Sequence, residues 1–516
     1  MGSVSNLPTL NPVSKLPPSS PWTPSTLRSR FVSALSDMYR TEVPLYGNLV
    51  AIVGEVDAKV LAARGEEPSS LPVRNSVERH GAIRLGTACE MRLILRLFAL
   101  LGMHPVGYYD LSVVGFPLHG TAFRPVSEDE LRKNPFRVFT TVLRPGLIAS
   151  TTVRKLAENI LAERQLFSPA LCSLLDKADN PEGVLSLTAS DADTLIAESL
   201  KIFKWHSRST VPLRTYRRLM REHPMVADVV CFPSAHINHL TPRTLDIDAV
   251  QAEMVNQGLP AKESIEGPPA GRKCEILLRQ TSFKALEEKV AFVGGDDAGE
   301  YSSGTESNGG TTRKTVDGTH TARFGEVEQR GAAVTRKGRE LYDQLLAEAT
   351  AQLERWKQEG KKKELNEALA TTFRAYPDDW DQLRTQGLVY FRYKVAKESA
   401  SKSGAVQEGL AAGQLVDMEA LLRAGAVVCE PITYEDFLPL SAAGIFTSNL
   451  SLGGPNEATE RKLEKMEEQS NASRAELEQL LGCVIPSEID LYDELQAASV
   501  KACEEALGLS KIVLAA

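Results

Sequence analysis

The run Ser234-Ala-His-Ile-Asn-His-Leu-Thr-Pro-Arg-Thr-Leu-Asp-Ile-Asp248 places His236 and His239 just ahead of a segment that reads as a helix. A second block, Glu78-Arg-His-Gly-Ala-Ile-Arg-Leu-Gly86, supplies His80 and, four residues on, Arg84. A third, Arg323-Phe-Gly-Glu-Val-Glu-Gln-Arg-Gly331, carries Glu326 and Glu328 in an alternating, strand-like pattern. Two imidazoles and one carboxylate from separate segments are the donor set of a facial triad, which holds Fe(II) while leaving positions open for substrate and dioxygen.

Each member has a plainer reading. A single histidine in a strand is ordinarily a hydrogen-bonded core residue. His104, His206 and His223 lie in or beside helical stretches and keep that reading; His119 precedes a glycine in a strand, and His320 closes a polar loop where solvation is expected. His239 differs because a strand, a short connection and a helix capped by Asp246 or Asp248 follow one another around it. Spacing alone leaves His236 open beside it, and the strand-then-helix context favours His239. Glu326 and Glu328, two apart, face the same side of a strand. Gly325 leaves room next to a metal and favours Glu326, with Glu328 on a solvated strand face. His80 and Arg84 would share one face of a helix, and on an extended turn could converge on one pocket. Beside an iron site a guanidinium suits a substrate carboxylate, which it binds through two hydrogen bonds; alone it reads as a surface ion pair of small worth.

The elements that must position these groups follow from periodicity and punctuation. Residues 1–25 are rich in Pro and Ser and read as a disordered tail. Helical spacing begins at Ser25, a candidate N-cap, with a second helix over Leu45–Arg64 and a third over Thr87–Met103. Strands are expected at Tyr108–Val114, Gly120–Pro125, Phe136–Leu143, Val226–Phe232, Ile237–Thr241, Cys274–Gln280 and Val290–Val293. Residues 150–224 look like a helical insertion, and Asp246–Gln257 like a helix. Gly294–His320 collapses to Gly, Ser, Thr, Asp and Glu and reads as a flexible loop. Beyond Arg336 helices dominate, at Arg336–Gln358, Lys361–Thr372, Met418–Ala424 and Ala472–Gly482. The block Glu430–Phe446 reads as a loop with Gly, Pro and Ser placed for backbone contacts to a ligand. The expected organisation is α+β, with a single interleaved catalytic unit over 26–516 whose metal-binding β core comes from 75–145 and 225–335.

Bulk properties exclude several functions. Apolar residues make up 42% and charged residues 24% of the 516, the proportions of an ordinary globular protein. A net charge of −8, without a basic stripe carrying aromatics, gives no nucleic-acid footprint. The most apolar stretch, Met91–Met103, is broken by Arg92 and Arg96 and is too short for a membrane span. Seven cysteines without Cys-x-x-Cys spacing argue against a disulfide framework or a structural zinc site and fit a reducing compartment. Lys15, Arg28 and Arg30 precede the first acidic residue, Asp37, as in a mitochondrial presequence, but six prolines between Pro8 and Pro24 would break its helix. A cytoplasmic location is expected, with a mitochondrial one as the alternative. Nothing in the sequence indicates an oligomeric state.

The blocks Glu78–Gly86, Tyr108–Pro125, Asn238–Asp248, Arg323–Gly338 and Glu430–Asn449 together resemble the 2-oxoadipate dioxygenase/decarboxylases, also called 2-hydroxyglutarate synthases. Phe-Gly-Glu-Val-Glu-Gln-Arg is also similar to the last metal-binding strand of 4-hydroxyphenylpyruvate dioxygenase-like enzymes, with Glu326 at the ligand position. The resemblance implies a vicinal-oxygen-chelate-like β-barrel core with large helical insertions and a helical C-terminal region, 336–516, that carries a substrate loop at 430–449. It implies Fe(II) held by His80, His239 and Glu326, and a substrate touched by His80, Arg84, His239, Leu440 and Ser441, with Arg84 catalytic. The implied reaction converts 2-oxoadipate, a 2-oxo dicarboxylic acid, and O2 to D-2-hydroxyglutarate and CO2 in lysine catabolism. The competing readings are a glyoxalase-type lyase or isomerase, an extradiol-type dioxygenase, or a non-catalytic binding module on the same fold.

Overall fold

The computed structural model describes residues 22–67, 69, 71–75, 77–180, 182–294, 315–361, 365–396, 416–438 and 460–514. Most of the N-terminal tail, most of the Gly294–His320 stretch and the end of the 430–449 loop, with Leu440 and Ser441, lie outside them. By contacts the chain groups into two compact units, each assembled from three separated stretches. One comprises Met1–Lys262, Ser282–Val327 and Pro439–Ile485, the other Glu263–Thr281, Glu328–Leu438 and Pro486–Ala516.

In chain order the first ten strands are β1 (His80–Leu85), β2 (His104–Asp110), β3 (Leu118–Arg124), β4 (Arg137–Leu143), β5 (Arg208–Pro212), β6 (Leu240–Thr241), β7 (Leu278–Ser282), β8 (Leu286–Val293), β9 (Thr315–Arg323) and β10 (Glu326–Arg330). The first unit is organised by a five-stranded sheet in the order β2-β3-β4-β1-β6 and a three-stranded sheet, β5-β8-β9. β10 pairs with β7. Among the described residues these sheets close no barrel.

β1 lies inside its sheet, parallel to β4 and antiparallel to β6, and all six of its residues are buried. A strand buried on both faces normally reads as a continuous apolar run. β1 instead carries His80 and Arg84, and strand alternation puts both on one face with Ala82 between them. The Glu78–Gly86 block is therefore a strand and not a helix or turn. The helix Ala88–Leu100 follows at once because Thr87 and Glu90 form a capping box, with Glu90 Oε2 also accepting from Gly86 N at 2.8 Å. That helix turns the chain back, so β2, β3 and β4 can be laid down as an antiparallel run beside β1.

Several boundaries differ from the sequence expectation, for local reasons. The first helix, Pro24–Glu42, is capped by Thr23 and not by Ser25, since Pro24 already occupies its first turn. β2 stops at Asp110, whose carboxylate accepts from Ser112 N at 2.9 Å and turns Leu111–Val114 into a short 3-10 helix. Val226–Phe232, expected as a strand, lies mostly in the helix Pro224–Val230, started by the imidazole of His223 capping Met225 N. Every residue from Met225 to Val230 is buried, so burial on all sides erased the periodicity that separates helix from strand. Only Leu240–Thr241 of the expected Ile237–Thr241 strand pairs, and the Cys274–Gln280 strand is displaced to Leu278–Ser282. The described part of the polar stretch before Arg323 is β9, which pairs with β8 along its length.

The second unit has its own apolar core, from Ile276 and Leu278 through Tyr342, Phe373 and Tyr390 to Tyr492 and Leu507. Its helices Arg336–Gln358, Leu365–Thr372 and Met418–Arg423 fall where the sequence places them. It is not purely helical: β11 (Phe391–Val395) pairs with β13 (Val427–Pro431), and β12 (Val416–Asp417) with β14 (Ile512–Val513). No helix among the described residues is long and apolar enough to cross a membrane.

The closeness of β3 and β4 rests on Gly120, where an added Cβ would sit 2.2 Å from the carbonyl oxygen of Thr140 and 2.8 Å from Thr141 Cα. Both are backbone atoms and cannot rotate away. Gly120→Ala is expected to destabilise the protein by about 1–3 kcal/mol, read from urea unfolding. Gly146→Ala, with nothing within 4 Å of the new Cβ, is the matched control and should differ little from the parent.

Candidate metal centre

His80, His239 and Glu326 come together in one buried group, each offering a ligand atom within 4.8 Å of the others. His80 reaches it from the first residue of β1, and Glu326 from the first residue of β10. His239 sits immediately before β6, whose antiparallel register sets Thr241 opposite His80. His80 Nε2 lies 2.7 Å from Glu326 Oε1, and the rings of His80 and His239 meet edge to face at 5.3 Å. Phe324 stacks on the other side of His239 at 4.7 Å.

The segments carrying these residues are clamped by their backbones. Asn238 N donates to Ala82 O at 2.9 Å, and Phe324 N donates to Asn238 O at 3.0 Å. The hydroxyl of Tyr39 lies 2.9 Å from the carbonyl oxygen of Asn238 and 2.7 Å from that of Phe324, sharing one proton between them. Downstream, Asp246 caps the helix Ile247–Asn256, and Asp57 accepts from Leu245 N and Thr244 Oγ1. The residues on either side of His239 are thus tied down.

The electrostatics suit a cation. Burial depresses His239 to about 3, against the attraction of Glu326, so its imidazole is neutral and keeps a lone pair. Burial pushes the carboxyl of Glu326 up, but His239, His80 and Lys262 outweigh it and hold it below the ordinary value. His239 Nδ1 is buried without a hydrogen-bond partner. Two nitrogen donors and one carboxylate, with an orphaned ring nitrogen among them, fit a divalent transition metal.

The other sequence candidates separate from this group. His236 joins Asp228 and His320 in a second buried cluster, with Nε2 of His236 at 3.1 Å and Nε2 of His320 at 2.8 Å from Asp228 Oδ1. His320 is therefore not solvated: β9 carries it into the interior, where Tyr216 Oη lies 2.9 Å from its Nδ1. Arg84 is buried and not a surface ion pair; its Nη1 lies 2.6 Å from Asp228 Oδ2. Glu328 is likewise not on a solvated face: it is wholly buried and ion-paired with Arg330, whose Nη2 lies 2.9 Å from Glu328 Oε2. His119 packs edge-on against Tyr108.

Sequence reasoning passed over Tyr39, Thr241 and Asp228. Thr241 Oγ1 donates to Glu326 Oε1 at 3.2 Å and lies 3.1 Å from His80 Nε2, so it touches two of the three prospective ligands. Asp228 left one signal, a single carboxylate inside the apolar run Val226–Phe232. Tyr39 left none, since an aromatic on a helix face is ordinary core.

The family profile described as 2-oxoadipate dioxygenase/decarboxylase matches residues 31–449. A 2-oxoadipate dioxygenase/decarboxylase of Pseudomonas putida is 45% identical over 498 residues, covering 95% of this chain and 98% of its own. One from Escherichia coli is 44% identical over 486 residues, covering 93% and 98%. The crystal structure of the Pseudomonas putida hydroxyglutarate synthase in complex with 2-oxoadipate superposes with a TM-score of 0.76 at 42% identity, covering 95% of this chain and 99% of that one. The chain belongs to the 2-oxoadipate dioxygenase/decarboxylase family.

Thr241→Val removes the hydroxyl that orients His80 and Glu326 and keeps the side-chain shape. Affinity for a divalent ion, titrated with Co(II), is expected to fall roughly 10–100-fold while the melting temperature stays near that of the parent. Unchanged affinity would remove Thr241 from the support of the site.

Proposed function

We propose that this chain is an Fe(II)-dependent dioxygenase and decarboxylase that converts 2-oxoadipate and O2 to D-2-hydroxyglutarate and CO2, in lysine catabolism. The observation that carries the reading is the buried His80, His239 and Glu326 group in a chain of this family. The relative crystallised with 2-oxoadipate supports the choice of substrate. The run of β1, helix and β2 to β4 is assigned as part of a vicinal-oxygen-chelate-like core.

The stoichiometry is self-contained. The substrate loses its first carbon as CO2, and the atoms of O2 are accounted for by the new carboxylate and the new hydroxyl. The electrons come from the 2-oxo acid, so no second 2-oxo acid is required. Held by His80, His239 and Glu326, Fe(II) would supply the activation of O2 and a Lewis-acidic anchor for the 2-oxo acid.

The chain's own groups do the rest. His80 and Arg84 lie on one face of β1, about 13 Å apart along the strand, and Arg84 is near enough to help lower the pKa of His239. A guanidinium on this face can clamp a substrate carboxylate and hold the reacting end in register. Leu440 and Ser441 are assigned to the substrate's other contacts. His80 and Glu326 are each 1% exposed, so bulk water is kept from the reacting centre.

Purified protein loaded anaerobically with Fe(II), mixed with 2-oxoadipate and then exposed to O2 tests the reading. One O2 consumed per 2-oxoadipate, with 2-hydroxyglutarate as the product by mass, is the expected result. Tight Fe(II) binding without O2 uptake would sink the substrate assignment and keep the metal site. His80→Ala and Glu326→Ala should lose Fe(II) and turnover together, and a variant with full iron content is not missing a ligand. Arg84→Ala should keep its iron and lose roughly 100-fold or more in kcat/KM.

A further inference from the structure

The second buried cluster has the donor types of a metal site but a different set of neighbours. Both Nε2 atoms, of His236 and His320, converge on the same oxygen of Asp228, at 3.1 and 2.8 Å. The other oxygen of Asp228 accepts from Arg84 Nη1 at 2.6 Å. A guanidinium at that distance already balances the carboxylate, and both of its oxygens are engaged within the protein. Tyr216 Oη at 2.9 Å from His320 Nδ1 completes the chain of contacts, and Trp205 packs against both imidazoles, edge-on to His236 and parallel to His320. Asp228 is buried, with 4% of its surface exposed. Burial pushes its carboxyl up, but Arg84, His236 and His320 outweigh this and hold it well below the ordinary value.

We propose that Asp228, braced by His236 and His320, is a positioning residue that fixes the guanidinium of Arg84 for the substrate carboxylate. The inference rests on the substrate role proposed for Arg84. Two features support it beyond the ion pair. Arg84, Asp228, His320 and Phe324 line one cavity of about 530 Å3 together with Arg217, Arg221 and Met220 of the helix Leu213–Glu222. Phe324 is also the residue stacked on His239, so the cavity lining and the His80, His239, Glu326 group share a neighbour. A long arginine reaching into such a space has several rotamers, and a salt bridge through one nitrogen, itself braced from behind, selects among them.

Asp228→Asn keeps the shape and removes the charge that holds Arg84. The expected result is unchanged Fe(II) content and a KM for 2-oxoadipate raised so that kcat/KM falls roughly 100-fold, with kcat much less affected. A crystal structure of the variant should find the Arg84 guanidinium displaced and His80, His239 and Glu326 in place. Tyr216→Phe, a milder change at the far end, should raise KM a few-fold with iron retained, and serves if Asp228→Asn does not fold.

Arg84→Ala raising KM while Asp228→Asn and Tyr216→Phe leave it unchanged would overturn the positioning role and keep the substrate reading. An Arg84 that stays in place in Asp228→Asn overturns it as well, whichever 2-oxo acid is the substrate. Should wild type fail to use 2-oxoadipate, the functional reading falls, and the crystal structure still decides the positioning. Wild-type protein binding two metal ions per chain, with Asp228→Asn losing one, would make the cluster a metal site and overturn the inference.

Discussion

Burying a carboxylate beside two imidazoles is the constraint on which the first unit is built. Glu326 is 1% exposed and wholly enclosed, and an ionised carboxylate taken out of water is tolerated only beside compensating charge or hydrogen-bond donors. Part of that compensation is present in the protein, through Thr241, His80 and the nearby Lys262. The neutral His239, with a ring nitrogen lacking a partner, leaves the group short of a positive centre. A bound cation would complete the balance, and its binding would then be coupled to local stability.

Meeting that constraint requires three distant pieces of chain to hold their places to within about 0.5 Å. The sheet does this for His80, which inherits the rigidity of a strand paired on both sides. His239 and Glu326 enter through short extended stretches, and there the backbone clamp through Asn238, Phe324 and the Tyr39 hydroxyl substitutes for a ladder. A helix near the N-terminus thereby contributes to the metal centre without contributing a ligand.

A second buried polar assembly stands next to the first and obeys the same rule with a different solution. Around Asp228 the positive charge comes from Arg84, so the charges close within the protein. One face of β1 serves both, with His80 at one end and Arg84 at the other. The unit thus holds two buried carboxylate–imidazole groups, one with its charge closed by an arginine and one without.

The chemistry-bearing residues were legible because their types are costly in the settings their neighbours imply. A histidine and an arginine in an otherwise apolar hexapeptide, or a carboxylate in an alternating strand, need a reason to be there. Helices with clear starts, such as Thr87 with Glu90 or Asp246 before Ile247, were equally legible, since a cap is local. Burial defeated the reading elsewhere. Met225–Val230 is apolar on every side and carries no period, and His320, at the end of a polar stretch, is drawn inside by β9. The sequence by itself determined which side chains could ligate and roughly which segments carry them. Only the tertiary structure decided that His239 joins His80 and Glu326 while His236 turns to Asp228, because three residues along an extended chain reverse the face, and which face meets which partner is set by long-range pairing.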